Sequence, residues 1–197
     1  MRLNPCINLE LKDADVIYYP NFFSTDEADG FFNKLLKDIQ WKQDNITVFG
    51  KTFEQPRLTA FYATNNNSYT YSNIKMKPLP FEGELLAIKN IIDEELKIGF
   101  TSCLANLYRS GKDSNGWHAD DEKELGKNPV IASISFGAER IFHIKHKNDK
   151  SLKAKLVLQH GSLLLMKGET QHNWLHQIPK TQKDIGKRIN LTFRIIA

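Results

Sequence analysis

A chain of 197 residues, 41% hydrophobic and 25% charged, is long enough for one globular domain with a sizeable core. No apolar run approaches the roughly 20 residues that a bilayer demands, which excludes a spanning helix, and two cysteines are too few for a disulfide framework or a thiolate zinc site. A net charge of +4 permits a polyanionic partner without requiring one.

In chain order, residues 15–23 read as a strand running into a turn. Ser24-Thr-Asp-Glu27 has the capping-box form and predicts a helix start. Phe31, Phe32, Leu35, Leu36 and Ile39 follow at helical spacing and should face the core. A polar stretch from Trp41 to Pro80 holds strand-like pieces near 48–53 and 58–63. A second helix is expected over 83–97, with Leu85, Leu86, Ile88, Ile91, Ile92 and Leu96 on its buried side and Gly99 ending it. From Phe100 onward the pattern changes to short strands, at 101–108, 130–136, 140–145, 156–159, 162–166 and 188–196. Residues 136–139 and 159–162 look like hairpin connections, and 147–155 like a charged solvent loop. The expected fold class is α+β, with a double-stranded β-helix (jelly-roll) core and N-terminal helices packed on one sheet. One domain should cover 1–197, its jelly roll occupying about 100–197. The first ten residues lack a signal-peptide core, so the expected protein is an intracellular monomer with no membrane association, cytoplasmic in a bacterium and nuclear in a eukaryote.

His118 and Asp120 stand two residues apart, which puts both on one side of a strand. With a second histidine they make the two-imidazole, one-carboxylate set that holds Fe(II) on one face and leaves the other open. His172 and His176 both compete for that place, and spacing alone does not choose. The segment Arg188-Ile-Asn-Leu-Thr-Phe-Arg194 puts two arginines, Asn190 and Thr192 on one strand face and apolar residues on the other. Beside the His/Asp pair, such arginines suit a dianionic co-substrate. Phe49, in Val48-Phe-Gly50 and near Lys51 and Arg57, is either a folded-back core residue or a wedge between stacked bases. Tyr69 and Tyr71 are either core or a stacking platform for an extruded base.

Asn106-Leu-Tyr108, Trp117-His-Ala-Asp-Asp-Glu122, Ile131-Ala-Ser-Ile-Ser-Phe-Gly137, His160-Gly-Ser-Leu-Leu-Leu-Met166, His176-Gln-Ile-Pro179 and Arg188–Arg194 together resemble the AlkB-type Fe(II)/2-oxoglutarate dioxygenases. The Val48-Phe-Gly50 segment followed by Pro56-Arg57 resembles the branch that repairs alkylated bases in double-stranded DNA. The resemblance implies Fe(II) on His118, Asp120 and His176, selecting His176 over His172, with 2-oxoglutarate and O₂ as co-substrates. It gives 2-oxoglutarate to Asn106, Tyr108, Arg188, Asn190 and Arg194. Tyr71 and His118 would sandwich a flipped base, Asp121 and Glu122 would lie near its polar edge, and Val48, Phe49, Gly50, Arg57 and Tyr69 would meet the nucleic acid. About 1–99 would then be a helical and nucleotide-recognition region. The implied activity is oxidative demethylation of N-alkylated bases in DNA, probing a duplex with a flipped base. The alternatives are an RNA or single-strand demethylase of the same family and a non-catalytic damaged-DNA-binding protein. Tyr71 stands where that branch carries phenylalanine and the 65–68 loop differs, which bears on base preference.

Overall fold

The computed structural model describes residues 2–48, 51–65, 69–71 and 74–196, and of 46–48, 51, 69–71 and 74–76 the backbone alone. Strands β1 (Ile7–Asn8) and β2 (Asp15–Tyr19) lead into helix α1 (Thr25–Asp38). The hairpin β3 (Asn45–Val48) and β4 (Lys51–Glu54), strand β5 (Leu58–Ala63), and the hairpin β6 (Tyr69–Tyr71) and β7 (Ile74–Met76) follow. Helix α2 (Gly83–Leu96) precedes β8 (Ser102–Tyr108), β9 (Asn115–His118), β10 (Ile131–Gly137), β11 (Arg140–His146), β12 (Lys153–Leu158) and β13 (Ser162–Lys167). A single turn, α3 (Thr170–Asn173), then β14 (Trp174–Ile178) and β15 (Arg188–Arg194) complete the chain.

The capping box forms as the sequence predicts. Ser24 Oγ accepts the Glu27 N–H at 3.3 Å, and the Ser24 N–H donates back to Glu27 Oε2 at 3.0 Å. Helix α2 closes differently from expectation. Lys97, not Gly99, adopts the left-handed conformation at φ 57°, and Asp93 Oδ1 takes the Phe100 N–H at 3.0 Å. A side-chain acceptor thus replaces the glycine cap.

Two antiparallel sheets make the jelly roll, one ordered β1-β2-β13-β10-β15-β8-β5 and the other β12-β11-β14-β9. The larger sheet draws in β1, β2 and β5, so the core does not begin near residue 100. Residues 136–139 and 159–162 are not hairpins. Each carries the chain from one sheet to the other, β10 to β11 and β12 to β13. Gly161 makes the second corner at φ +74°, and a Cβ there would lie 2.8 Å from the Phe23 carbonyl oxygen. The expected solvent loop at 147–155 is shorter, because β12 starts at Lys153 and pairs with β11.

Both faces of the larger sheet are buried. Leu35 of α1, Ile39 just past its end, and Leu85, Ile88 and Ile92 of α2 pack with Ala105, Ile134, Leu163, Leu191 and Phe193 on one face. On the other face Tyr18, Leu104, Tyr108, Ile131 and Leu164 meet Phe142, Ile144, Leu158, Trp174 and Ile178 of the smaller sheet. Each buried Leu, Ile or Phe among them contributes about 1.5–3 kcal/mol on leaving water. Among the described residues no helix is long and apolar enough to cross a membrane.

Candidate active site

β9 and β14 pair with His118 opposite His176, so the two rings project together, their centroids 4.2 Å apart. β9 stops at His118, and Asp120 lies just beyond it. The strand geometry expected for the His-x-Asp pair therefore applies only to its histidine. Gln171 aims the aspartate, its Oε1 accepting the Asp120 N–H at 2.9 Å. One ligand atom from each of His118, Asp120 and His176 lies within 4.8 Å of the others, a grouping no other His, Cys, Asp or Glu set makes among the described residues. His172 is exposed and bonded to Asn128 Oδ1 at 2.8 Å, outside this cluster.

The protonation states suit a cation. Burial, then the neighbouring His118, pushes His176 down to about 3, and burial also lowers His118. His118 Nδ1 faces the Gly116 carbonyl oxygen at 2.8 Å, and donating there leaves Nε2 its lone pair. Burial alone would raise Asp120, but Arg194 and the two imidazoles outweigh it and hold the carboxyl at about 2. At neutral pH the site thus offers two neutral imidazoles and one carboxylate, the donor set that Fe(II) takes.

β15 is buried along its whole length but in two environments. Ile189, Leu191 and Phe193 join the helix-side core, while Arg188, Asn190, Thr192 and Arg194 line the pocket that holds the His/Asp cluster. The two arginines serve opposite ends. Arg194 Nη2 donates to Asp120 Oδ1 at 2.5 Å, which places it at the cluster end of the pocket. Arg188 is 1% exposed, lies over the Tyr108 ring at 5.1 Å and donates from Nη2 to Ser135 Oγ at 2.9 Å. Its Nε and Nη1 have no hydrogen-bond partner among the described residues. Burial pulls this guanidinium down to about 10, with Tyr108 opposing. A buried cation with two unmet donors needs an anion, and the far carboxylate of 2-oxoglutarate fits. Between the arginines, Asn106 Nδ2 reaches Asn190 Oδ1 at 3.5 Å, and Asn190 Nδ2 donates to Ser133 Oγ at 2.8 Å.

Arg57 departs most from expectation. It is 3% exposed, and its Nε donates to Asn106 Oδ1 at 2.7 Å, so it props the pocket floor instead of reaching for phosphate. Thr59, two residues on, pairs with Asn106 across β5 and β8, which brings the arginine there. Asp121 is exposed and bonded to Lys147 Nζ at 3.0 Å, and Glu122 is half-buried where a 3₁₀ turn begins. Val48 pairs with Lys51 in the β3–β4 hairpin, and Tyr69 and Tyr71 lie in the β6–β7 hairpin, their side chains outside the described structure. Phe49 and Gly50 lie outside the described residues. Sequence reasoning missed Gln171 and Ser135. Ser135 lies in the 131–137 segment that carries the resemblance, but its role and that of Gln171 show only once the fold brings them to Arg188 and Asp120.

A family model described as the 2OG-Fe(II) oxygenase superfamily matches residues 15–194. The chain is 45% identical over 186 residues to the Bos taurus alpha-ketoglutarate-dependent dioxygenase alkB homolog 3, covering 90% of this chain and 64% of that protein. It is 38% identical over 210 residues to the Arabidopsis thaliana DNA oxidative demethylase ALKBH2, covering 93% and 67%. The chain thus spans just under two thirds of the bovine relative. The solved structure of OsALKBH1 superposes with a TM-score of 0.65 at 18% identity, covering 91% of this chain and 96% of that one, a likeness of fold. The chain belongs to the 2OG-Fe(II) oxygenase superfamily, as one of its AlkB-type members.

Proposed function

We propose that the protein is an Fe(II)- and 2-oxoglutarate-dependent dioxygenase that demethylates N-alkylated bases in DNA. The observation that carries this reading is one pocket with a His-Asp-His cluster at one end and the unsatisfied guanidinium of Arg188 at the other. His118, Asp120 and His176 would hold the iron, with Arg188 and Tyr108 holding the far carboxylate of 2-oxoglutarate. When bound, iron with 2-oxoglutarate and O₂ supplies the oxidation: the co-substrate leaves as succinate and CO₂, and one oxygen atom enters the N-methyl carbon, which departs as formaldehyde.

The chain's own part is positioning and exclusion of water. Arg194 keeps Asp120 ionised and turned so that Oδ1 is occupied while Oδ2 stands 3.7 Å from His176 Nε2. Phe142 stacks on His176 at 5.2 Å and fixes its ring plane. Arg57, through Asn106, sets which way the paired amides of Asn106 and Asn190 point.

DNA as the substrate is supported by the name of the Arabidopsis relative and by the β3–β4 hairpin, which among the described residues forms a sheet of its own. In this reading Phe49, which lies outside the described residues, fills the gap that a flipped base leaves in a duplex, and single strands have no such gap. The test is formaldehyde release from matched single- and double-stranded oligonucleotides carrying methylated bases. Phe49→Ala should reduce duplex turnover well beyond single-strand turnover. Equal losses with a lowered melting temperature would remove the duplex preference, and no succinate formation with any substrate would remove the catalytic reading.

A further inference from the structure

The outer face of the four-stranded sheet carries a groove of about 550 Å³ that the proposed reaction leaves unused. The alternation that turns His118 and His176 inward turns Trp117 and Leu175 out onto this face. β11 and β12 add Lys145, Lys153 and Lys155, and the turn between them adds Lys147 and Lys150. Among the described residues no carboxylate lines the groove, in a chain whose whole net charge is +4. Nearby acids are engaged, Asp121 with Lys147 at 3.0 Å and Asp149 with Ser151 Oγ at 2.6 Å. Lys145 and Lys153 are direct cross-strand partners. Like charges placed opposite each other destabilise a sheet, and a bound polyanion relieves that repulsion. Trp117 is 39% exposed, with Lys145 Nζ 4.2 Å from its ring centroid.

We infer that this groove binds an unpaired stretch of the substrate's own nucleic-acid strand, with phosphates along the lysines and one base stacked at Trp117. The inference rests on the nucleic-acid reading above and names a second contact surface for it. An exposed indole offers stacking only to a base not already stacked in a duplex, while a row of lysines suits a phosphate backbone of any sequence. The Lys147–Asp121 pair ties the edge of the groove to the residue next to Asp120.

The test compares the intact protein with the Lys153→Glu/Lys155→Glu double variant, both positions exposed and outside the pocket that holds the His/Asp cluster. Unmethylated single strands of about twenty nucleotides serve as the binding probe, since single-strand sites span roughly 4–16 nucleotides. Affinity should fall roughly tenfold or more, and the slope of log K against log salt should flatten by about 1.4, for two phosphate contacts. Turnover of a methylated strand of about five nucleotides should stay unchanged. Trp117→Leu should abolish the fluorescence quenching that the long strand causes. Unchanged affinity and slope in the double variant would overturn the inference, as would a loss confined to duplex probes. If the intact protein releases formaldehyde from no methylated strand, the function reading fails instead, and the binding result still decides the groove.

Discussion

Replacing Arg188 by methionine keeps the length and bulk of a buried side chain and removes its charge and donors. Two effects of opposite sign follow. Burial has pulled the guanidinium from 12.5 to about 10. At 1.36 kcal/mol per unit, the ligand-free fold bears roughly 3 kcal/mol for keeping that charge. Methionine relieves this and gives up the Ser135 hydrogen bond, about 1 kcal/mol, the attraction of Tyr108 being already contained in the value of about 10. Ligand-free stability should therefore rise by about 2 kcal/mol. Binding of 2-oxoglutarate should move the other way. Nε and Nη1 are available for two charge-assisted hydrogen bonds of about 1.5–3 kcal/mol each, so their loss should weaken affinity by about 3 kcal/mol, roughly a hundredfold. Melting curves across a 2-oxoglutarate titration, with the co-substrate dependence of turnover, read both effects from one protein. Arg188→Lys should fall between, because it keeps a charge without the fork. A methionine variant with wild-type 2-oxoglutarate dependence would refute the assignment, and one that unfolds several degrees early would refute the energy accounting.

Alanine at His118, Asp120 or His176 should abolish stoichiometric Fe(II) binding, whereas His172→Ala should retain it, as read by anaerobic metal titration. Gln171→Leu leaves all three ligands but removes the acceptor of the Asp120 N–H, and metal affinity should drop about 10–100-fold. Arg57→Ala should reduce turnover equally at low and high salt, since its partner is Asn106; a loss that shrinks with salt would return Arg57 to the phosphates. The Arg2 hydrogen bond holds the Glu27 carboxyl at about 2, below its ordinary 4.5. A depressed acid stabilises the fold above the ordinary value and loses that stabilisation as pH falls towards the folded one. Glu27→Gln should accordingly lower stability by about 1 kcal/mol at neutral pH, the pair being partly exposed, and the gap between melting curves should close from pH 4.5 to about 2.

What the sequence revealed and what it concealed divide along the range of the interactions involved. The capping box spans four residues and the alternation of β15 seven, so each is complete within its own segment, and the structure keeps both. The corners at 136–139 and 159–162 have the glycine chemistry of hairpins. Whether a tight turn returns to its own sheet or crosses to another depends on which strand waits on the far side, and no turn residue encodes that. The metal cluster lies between these cases. His118 and Asp120 are neighbours in sequence, but spacing leaves His172 and His176 both open; the family resemblance selects His176, and the β9–β14 register gives the physical reason, setting His176 opposite His118 and leaving His172 on the preceding turn.

Arg57 shows the same dependence at its sharpest. An arginine just after a polar hairpin is expected in solvent, because arginine is almost never fully buried unless paired. Its pair is Asn106, forty-nine residues away. The two meet because β5 and β8 align Thr59 with Asn106, and Asn106 in turn faces Asn190 because β8 and β15 align those two. Two successive registers thus convert an expected surface charge into a support for the amides of the pocket. The same strands send Ala105 and Leu191, one residue along, into the helix-side core. A slip of one residue in either pairing would exchange the two faces, placing amides against the helices and apolar side chains beside the cluster. The packing of α1 and α2 on the larger sheet therefore helps hold Arg57, Asn106 and Asn190 in place, although neither helix contributes a residue to the pocket.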